Sequence, residues 1–403
     1  MKLGAGRNDM SDLSRGVAGS GEARPITLHQ VRTLAFGAGC STQCAAALAA
    51  RKARSIFLVT APPLLDMAAP LIGELRRAGS EVTVWSNALQ EPTIRDFDAA
   101  FAVARGVKAD AVVGLGGGSA MDIAKLVAAF LDSTQSIYDA FGVGKLASRN
   151  TYLVCLPTTS GTGSEVSPIA ILLDEADDLK KGVVSPHLVP DAAFVDPLFT
   201  VTMPPSVTAA TGIDAFTHCV EAYANRFAHP VVDNYAIEGI RLISHNLVRA
   251  IENGKDIEAR TAVSLGSLYG GMCLGPVNTA AVHALSYPLG GEFHVAHGVA
   301  NAVLLPHVLE FNLPAAPKRY AEVAIALGVT AGATHEETAR RGLERVRELS
   351  RQCGLPSTLG HFGIDASAID RMSAAAMTVQ RLLERNLRVV TEQDAKAIYR
   401  AAL

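Results

Sequence analysis

The segment GIDAFTHCVEAY carries Asp214 and His218, four residues apart. On a helix this spacing puts both side chains on one face, within reach of one point. Further along, AVHALSYPLGGEFHVAHGVANAVLLPHVLEFN adds His283 and His297. Gly290 and Gly291 divide this segment, which predicts His283 near the end of one helix and His297 at the start of the next. One carboxylate and three imidazoles form a borderline-soft donor set. It suits Fe²⁺ or Zn²⁺ better than Mg²⁺ or Ca²⁺, and with a divalent ion it stays net positive, as a Lewis acid requires. Spacing alone leaves His294 and His307 open as competing ligands. A D-x-x-x-H pair also occurs as a surface pair or a helix cap.

Two loops could hold a nucleotide. DAVVGL runs into Gly116, Gly117, Gly118 and Ser119, and a helix opens at once. Glycines allow a tight turn and a close ligand approach. The free N–H groups and positive dipole end of the helix suit a pyrophosphate. The string is neither GxGxxG nor a Walker A loop, and it follows the third recognisable β-rich run. The first such run ends in Val59-Thr60-Ala61-Pro62-Pro63, without glycine, so the usual dinucleotide fingerprint is missing there. The second loop, LPTTSGTGSEVS over 156–167, offers hydroxyls that could wrap phosphate and ribose oxygens, Thr158, Thr159 and Thr162 among them.

Positioning these groups needs two kinds of scaffold. Over the first half, β-rich runs at 55–60, 81–86, 110–115, 151–156 and 192–197 alternate with helical patterns at 62–79, 93–107 and 119–132. Thr93 is placed as an N-cap. This predicts a parallel, Rossmann-like sheet with helices on both faces. Beyond Pro204 the pattern turns helical, at 206–226, 231–252, 257–273, 277–289 and 298–312. The expected organisation is an N-terminal extension over 1–27, an α/β dinucleotide-binding domain over 28–204 and an all-α metal-binding domain over 205–403. The cleft between them is the expected ligand site.

The 403 residues are 49% hydrophobic and 19% charged, with a formal net charge of −3. That composition suits packed globular domains and advertises no nucleic-acid surface. No apolar run is long enough to span a membrane, and the first residues lack the apolar segment of a secretory signal. Six scattered cysteines read as buried reduced thiols, in keeping with the cytoplasm.

GGGSAMDIAK, LPTTSGTGSEV, GIDAFTHCVEAY and HGVANAVLLPHVLEFN occur in this order, with FGAGC near residue 36 and SPHLVPDAAFVDPLFT near 185. Together they resemble the iron-containing alcohol dehydrogenase family, from about residue 33 onward. The resemblance implies a dehydroquinate synthase-like architecture and hydride transfer between an alcohol or carbonyl carbon and nicotinamide C4. It implies Asp214, His218, His283 and His297 as ligands of Fe²⁺ or Zn²⁺, which selects His297 over His294 and His307. It assigns the pyrophosphate to Gly117, Gly118 and Ser119, with Asp122 beside them, and the cofactor wall to Thr158, Thr159 and Thr162. Lys180 matches a lysine near the nicotinamide pocket. A homodimer or higher homo-oligomer is implied as well.

Two departures stand out. Where alcohol-oxidising members carry HxxxHPLG, this chain reads His283-Ala-Leu-Ser-Tyr287-Pro-Leu-Gly. Tyr287 can hydrogen-bond but is a poor base near neutral pH. The Ser-Tyr-Pro string also resembles the hydroxyacid–oxoacid transhydrogenase branch, which keeps a short hydroxyacid beside a primary alcohol or aldehyde as substrate. Second, Val59-Thr60-Ala61 stands where several NAD-using members read Val-Thr-Asp. NAD is expected, with NADP tolerated. A maleylacetate reductase and a dehydroquinate synthase-like lyase are the alternative readings; the intact Asp-His-His-His set and the HGVANAVLLPH segment suit each less well.

Overall fold

The computed structural model describes residues 24–88, 91–176 and 179–403. Most of the expected N-terminal extension, residues 1–23, lies outside the described residues. Residues 24–27 are docked rather than floppy. Ile26 packs on the core of the helical half, and the Arg24 carbonyl meets His229 Nε2 at 3.0 Å.

The described strands are β1 (Thr33–Phe36), β2 (Ser55–Val59), β3 (Glu81–Trp85), β4 (Ala111–Gly116), β5 (Gly142–Val143), β6 (Tyr152–Pro157), β7 (Ile169–Asp174), β8 (Leu179–Val184) and β9 (Ala192–Val195). Six form one sheet in the order β1-β9-β6-β4-β2-β3, with every pairing parallel. β4 is buried along its whole length, as a central strand with both faces covered must be. One face packs Phe57, Val112 and Cys155 against the helices Ile94–Gly106 and Gly118–Phe130. The other packs Leu58, Val113 and Val154 against Gln43–Ala50 and Leu65–Arg77. Thr93 is the N-cap of its helix: its hydroxyl accepts from Asp96 N at 3.1 Å and its own N–H reaches the Asp96 carboxylate at 3.0 Å.

The strand order explains where the glycine loop sits. From β2 the chain steps to β3 on one side, then crosses to β4 on the other. The carboxyl ends of β2 and β4 therefore flank a topological switch point, the crevice where open α/β sheets bind ligands. The glycines follow β4 and so lie at this crevice, not after the first strand.

Several expectations need correction. β1 precedes the run taken as the first strand and pairs with β9 at the sheet edge, a placement its half-exposed TLAF string does not signal. β7 and β8 form an antiparallel pair, with β5 beside β8, as a separate three-stranded sheet. Gly290 and Gly291 lie inside the helix Ala281–Phe293 and do not divide it. That helix ends where His294 turns left-handed, at φ 54°. His283 is thus at a helix start, while His297 opens the helix His297–Asn312 as expected.

From Pro205 onward the regular elements are helical. Their core centres on Pro205–Tyr223, which is buried almost throughout its second half. The loop after β6 presses onto this helical half. A Cβ at Gly163, whose φ is +62°, would lie 2.3 Å from Gly271 Cα, so two backbones meet where only glycine fits. All six cysteines are buried and unbridged. No helix among the described residues is long and apolar enough to cross a membrane.

Candidate metal centre and nucleotide cradle

Four side chains predicted as ligands meet in the cleft between the sheet and the helices. Asp214 and His218 come from the middle of Pro205–Tyr223, His283 from the first turn of Ala281–Phe293 and His297 from the first residue of the next helix. Asp214 Oδ1 lies 3.7 Å from His218 Nε2, 3.5 Å from His283 Nε2 and 3.6 Å from His297 Nε2. Donors bound at about 2.1 Å to one tetrahedral ion would stand about 3.4 Å apart. Ligand atoms of Asp214, His283 and His297 all lie within 4.8 Å of one another, and the His218 ring stacks on His283 with centroids 4.8 Å apart. His294 caps its helix facing an outer cavity, and His307 sits beside Phe311 and Asp394; neither joins the group.

The charge states suit a cation. Burial alone would raise the Asp214 carboxyl, but the surrounding imidazoles outweigh it and hold the group well below the usual carboxylate range. Burial pushes His218 down to about 4. Burial, helped by the Lys180 ammonium and the other two imidazoles, pushes His297 down to about 3 against the pull of Asp214. Both rings are neutral at pH 7, with a lone pair to offer. Burial also disfavours charge on His283, but Glu221 and Asp214, one at each ring nitrogen, reverse this and bring it up to about 10. Binding an ion would displace that Nε2 proton.

A donor already aims at the centre. Asn301 Nδ2 lies 2.8 Å from Asp214 Oδ1, 3.2 Å from His283 Nε2 and 3.3 Å from His297 Nε2, while its own buried Oδ1 has no partner. One carboxylate oxygen and two imidazole nitrogens crowd round a single amide nitrogen, and the amide oxygen is left orphaned. The donor set fits a divalent cation better than it fits an amide.

Glu221 was not singled out in the sequence. Its carboxylate accepts from His283 Nδ1 and from Val282 N, each at 2.6 Å. This fixes the ring so that Nε2 faces the centre, the usual outer support of a metal-binding histidine. Glu221 lies on the same helix as Asp214 and His218, one turn beyond His218, and that spacing could have found it.

The nucleotide cradle is built by mutual close approach. A Cβ at Gly116 would lie 2.7 Å from Ala120 Cβ, and one at Gly118 would lie 2.6 Å from Thr162 Cγ2. Gly117 precedes the helix Gly118–Phe130 and faces Thr159. Thr158 N donates to the Gly116 carbonyl at 2.9 Å, which ties the two loops together. Two hydroxyls of the second loop are spent on the protein: Ser160 bonds Ser264 at 2.8 Å, and Ser164 donates to Asp122 at 2.6 Å. Asp122 also accepts from Ile171 N at 3.0 Å. It is thus a strut between the helix, the loop and β7. Lys125, one turn on, is fully buried and donates to the Ser167 and Ile169 carbonyls, each at 2.9 Å.

A cavity of about 170 Å³ joins the cradle to the metal centre; Gly118, Ser119 and Thr162 line one end and Asp214, His218 and His297 the other. Lys180 reaches into it from β8 and pairs with Glu91 at 2.8 Å. The Tyr287 hydroxyl accepts from Arg381 at 3.0 Å, and its ring stands 6.2 Å from that of His297. Arg381 is a second site residue that the sequence did not reveal.

Comparison with known proteins is consistent along the chain. Residues 32–197 match the family described as iron-containing alcohol dehydrogenase, and residues 208–403 match its C-terminal part. A long-chain-alcohol dehydrogenase from Geobacillus thermodenitrificans is 41% identical over 356 residues, 87% of this chain and 90% of that protein. The crystal structure of a 1,3-propanediol oxidoreductase superposes with a TM-score of 0.91 at 32% identity, covering 94% of this chain and all of that one. A sulfoacetaldehyde reductase from Bifidobacterium kashiwanohense, solved in complex with NAD⁺, superposes with a TM-score of 0.84 at 25% identity, covering 94% and 98%.

Proposed function

Because the chain belongs to the iron-containing alcohol dehydrogenase family, we propose that it moves a hydride between an alcohol carbon and NAD in the cavity that joins the glycine cradle to Asp214, His218, His283 and His297. It is an oxidoreductase acting on CH–OH groups, and its metal-binding family implies a resident divalent ion. The convergence of Asp214 Oδ1, His283 Nε2 and His297 Nε2 on the Asn301 amide is the observation that carries the reading. We take residues 28–204 as the dinucleotide-binding domain and 205–403 as the metal-binding domain.

When bound, the divalent ion supplies Lewis acidity toward the substrate oxygen and the nicotinamide supplies the hydride acceptor. The chain does the rest. Asp214, His218, His283 and His297 hold the ion, and Glu221 keeps His283 turned toward it. Gly117, Gly118 and Ser119 present backbone N–H groups to the pyrophosphate, with Thr158, Thr159 and Thr162 as the opposite wall. Lys180 closes the nicotinamide side. Tyr287 takes the position of a proton-relaying histidine; its oxygen is already an acceptor for Arg381, so its own O–H is the donor left for a substrate or a water.

Fe²⁺ is the favoured ion, with Zn²⁺ compatible. NAD is the favoured cofactor. At the end of β2, Val59-Thr60-Ala61 brings neither a carboxylate to repel a 2′-phosphate nor a cation to hold one, so NADP is tolerated. The substrate is a primary alcohol or a short hydroxyacid, or the aldehyde in reverse. We place the enzyme in the cytoplasm as a homodimer or larger assembly.

The test is direct. Protein loaded with Fe²⁺, or separately with Zn²⁺, is mixed with NAD and a panel of alcohols and hydroxyacids. Growth of the reduced-nicotinamide absorbance is expected. Turnover of substrate with no net change of cofactor would replace the dehydrogenase with a transhydrogenase or a lyase.

A further inference from the structure

Beyond the reacting centre, the cavity opens past Tyr287 into an outer chamber of about 660 Å³. Lys180, Tyr287 and Arg381 line both spaces and so form the wall between them. The chamber is rich in cations, yet most are neutralised in place. Lys180 pairs with Glu91, Lys181 with Asp174 and Arg371 with Glu292. Arg381 differs. Among the described residues no carboxylate lies within ion-pair distance of it, and its one side-chain partner is the neutral Tyr287 hydroxyl. It is half-buried, on the short helix Gln380–Leu383, whose Leu382 and Leu383 are anchored in the core of the helical half.

A guanidinium presents five N–H donors in a planar fork. A single bond to a phenol leaves most of them unused. Holding a cation partly out of water with no counter-charge costs free energy, which an arriving anion returns. The planar fork matches a carboxylate in a two-point contact. The surrounding geometry keeps the fork at the chamber mouth: Tyr287 holds one arm, and the Gly182 backbone of β8 lies alongside Arg381 Nη2. Lys180, paired with Glu91, stands on the same wall with its Nζ 6.0 Å from the Tyr287 ring centre.

We propose that Arg381 is the anchor for an anionic end of the substrate, so that the preferred substrates are ω-hydroxycarboxylates and the corresponding aldehyde acids. The hydroxyl end would lie among Asp214, His283 and His297, with the chain running along Tyr287 and the carboxylate closing on Arg381. This rests on the dehydrogenase reading above and narrows its substrate class. The chemistry is the same two-electron exchange: the carbinol C–H bond gives hydride to NAD⁺, the O–H gives a proton to solvent, and the anionic end is unchanged.

The experiment compares 4-hydroxybutyrate with 1-butanol, and 6-hydroxyhexanoate with 1-hexanol, in the wild-type metal-loaded enzyme and in Arg381→Gln and Arg381→Lys. In the wild type each acid should have a higher kcat/KM than its neutral partner. In Arg381→Gln that acid-to-neutral ratio should fall roughly ten- to hundredfold, mainly through KM, with Arg381→Lys in between because it keeps the charge but not the fork. Butyrate, which has the anion but no hydroxyl, should inhibit the wild type competitively and lose that effect in Arg381→Gln. Equal loss on acid and neutral substrates would make Arg381 only a support for Tyr287 and overturn the proposal, as would a wild type that favours the neutral alcohols. Oxidation of none of the four compounds would instead remove the dehydrogenase reading on which the proposal stands.

Discussion

His283 Nδ1 and the Glu221 carboxylate are 2.6 Å apart and fully enclosed, with Glu221 also receiving Val282 N at 2.6 Å. The carboxylate thus fixes both the ring and the helix start that carries it. Replacing Glu221 with Gln should keep the shape but weaken the hold on His283 and its basicity. Metal affinity should drop ten- to hundredfold, measured by competition with a chromophoric chelator. An unchanged affinity would show that packing alone orients the ring.

Removing the metal should destabilise the protein. An ion that binds only the folded chain adds about 2.7 kcal/mol at a hundredfold excess over its Kd. Chelation should therefore lower Tm, and adding Fe²⁺ or Zn²⁺ back should restore it. His283→Ala should stay folded, show no metal-dependent shift in Tm and lose most activity. A variant that kept both metal and rate would remove His283 from the ligand set.

At Gly118 an added methyl would meet Thr162 Cγ2 at 2.6 Å. Gly118→Ala should spread the two loops of the cradle, cost about 1–3 kcal/mol of stability and raise KM for NAD by roughly ten- to hundredfold. Adding Thr162→Ser, which deletes the clashing methyl, should recover part of both losses. If steady-state kinetics show the double variant no better than Gly118→Ala, the contact is not what sets the cradle.

Glu165 carries a pH dependence away from the metal centre. Burial pushes its carboxyl from 4.5 up to about 7, against the opposing pull of its own backbone N–H and of Lys125. Between those values the folded chain keeps a proton that the unfolded chain has released. The Glu165 contribution is therefore most favourable below about pH 4.5, falls as pH rises toward 7 and then levels, a swing of about 3 kcal/mol. Glu165→Gln removes that slope. The Tm of the variant minus that of the wild type should grow from pH 4.5 to 7; parallel curves would contradict the assignment.

The sequence carries much of this, unevenly. Strong β-runs such as SIFLV and AVVGLG, and the Thr93 cap, are local signals and read directly. β1 is short, half-exposed and stabilised only by β9, far away in sequence, so TLAF says little by itself. β8 reads LKKGVV, and its two lysines and glycine mask a strand that depends on β7. Gly290 and Gly291 suggest a helix break, yet the helix runs through them to Phe293, packed against the helical core on both sides, with Gly290 facing Lys180. The four residues proposed as ligands are legible from type and motif. Arg381 is not, because the tyrosine it meets is more than ninety residues away and no spacing rule links them.

The contact of Gly163 with Gly271 joins the nucleotide loop to the helical half backbone against backbone, with no side chain between them to yield. The two halves are in effect riveted there. An opening of the cleft that kept this contact would pivot on it, and the gap would widen with distance from it. A bulky residue at either glycine would act as a wedge, propping the jaws apart before anything is bound.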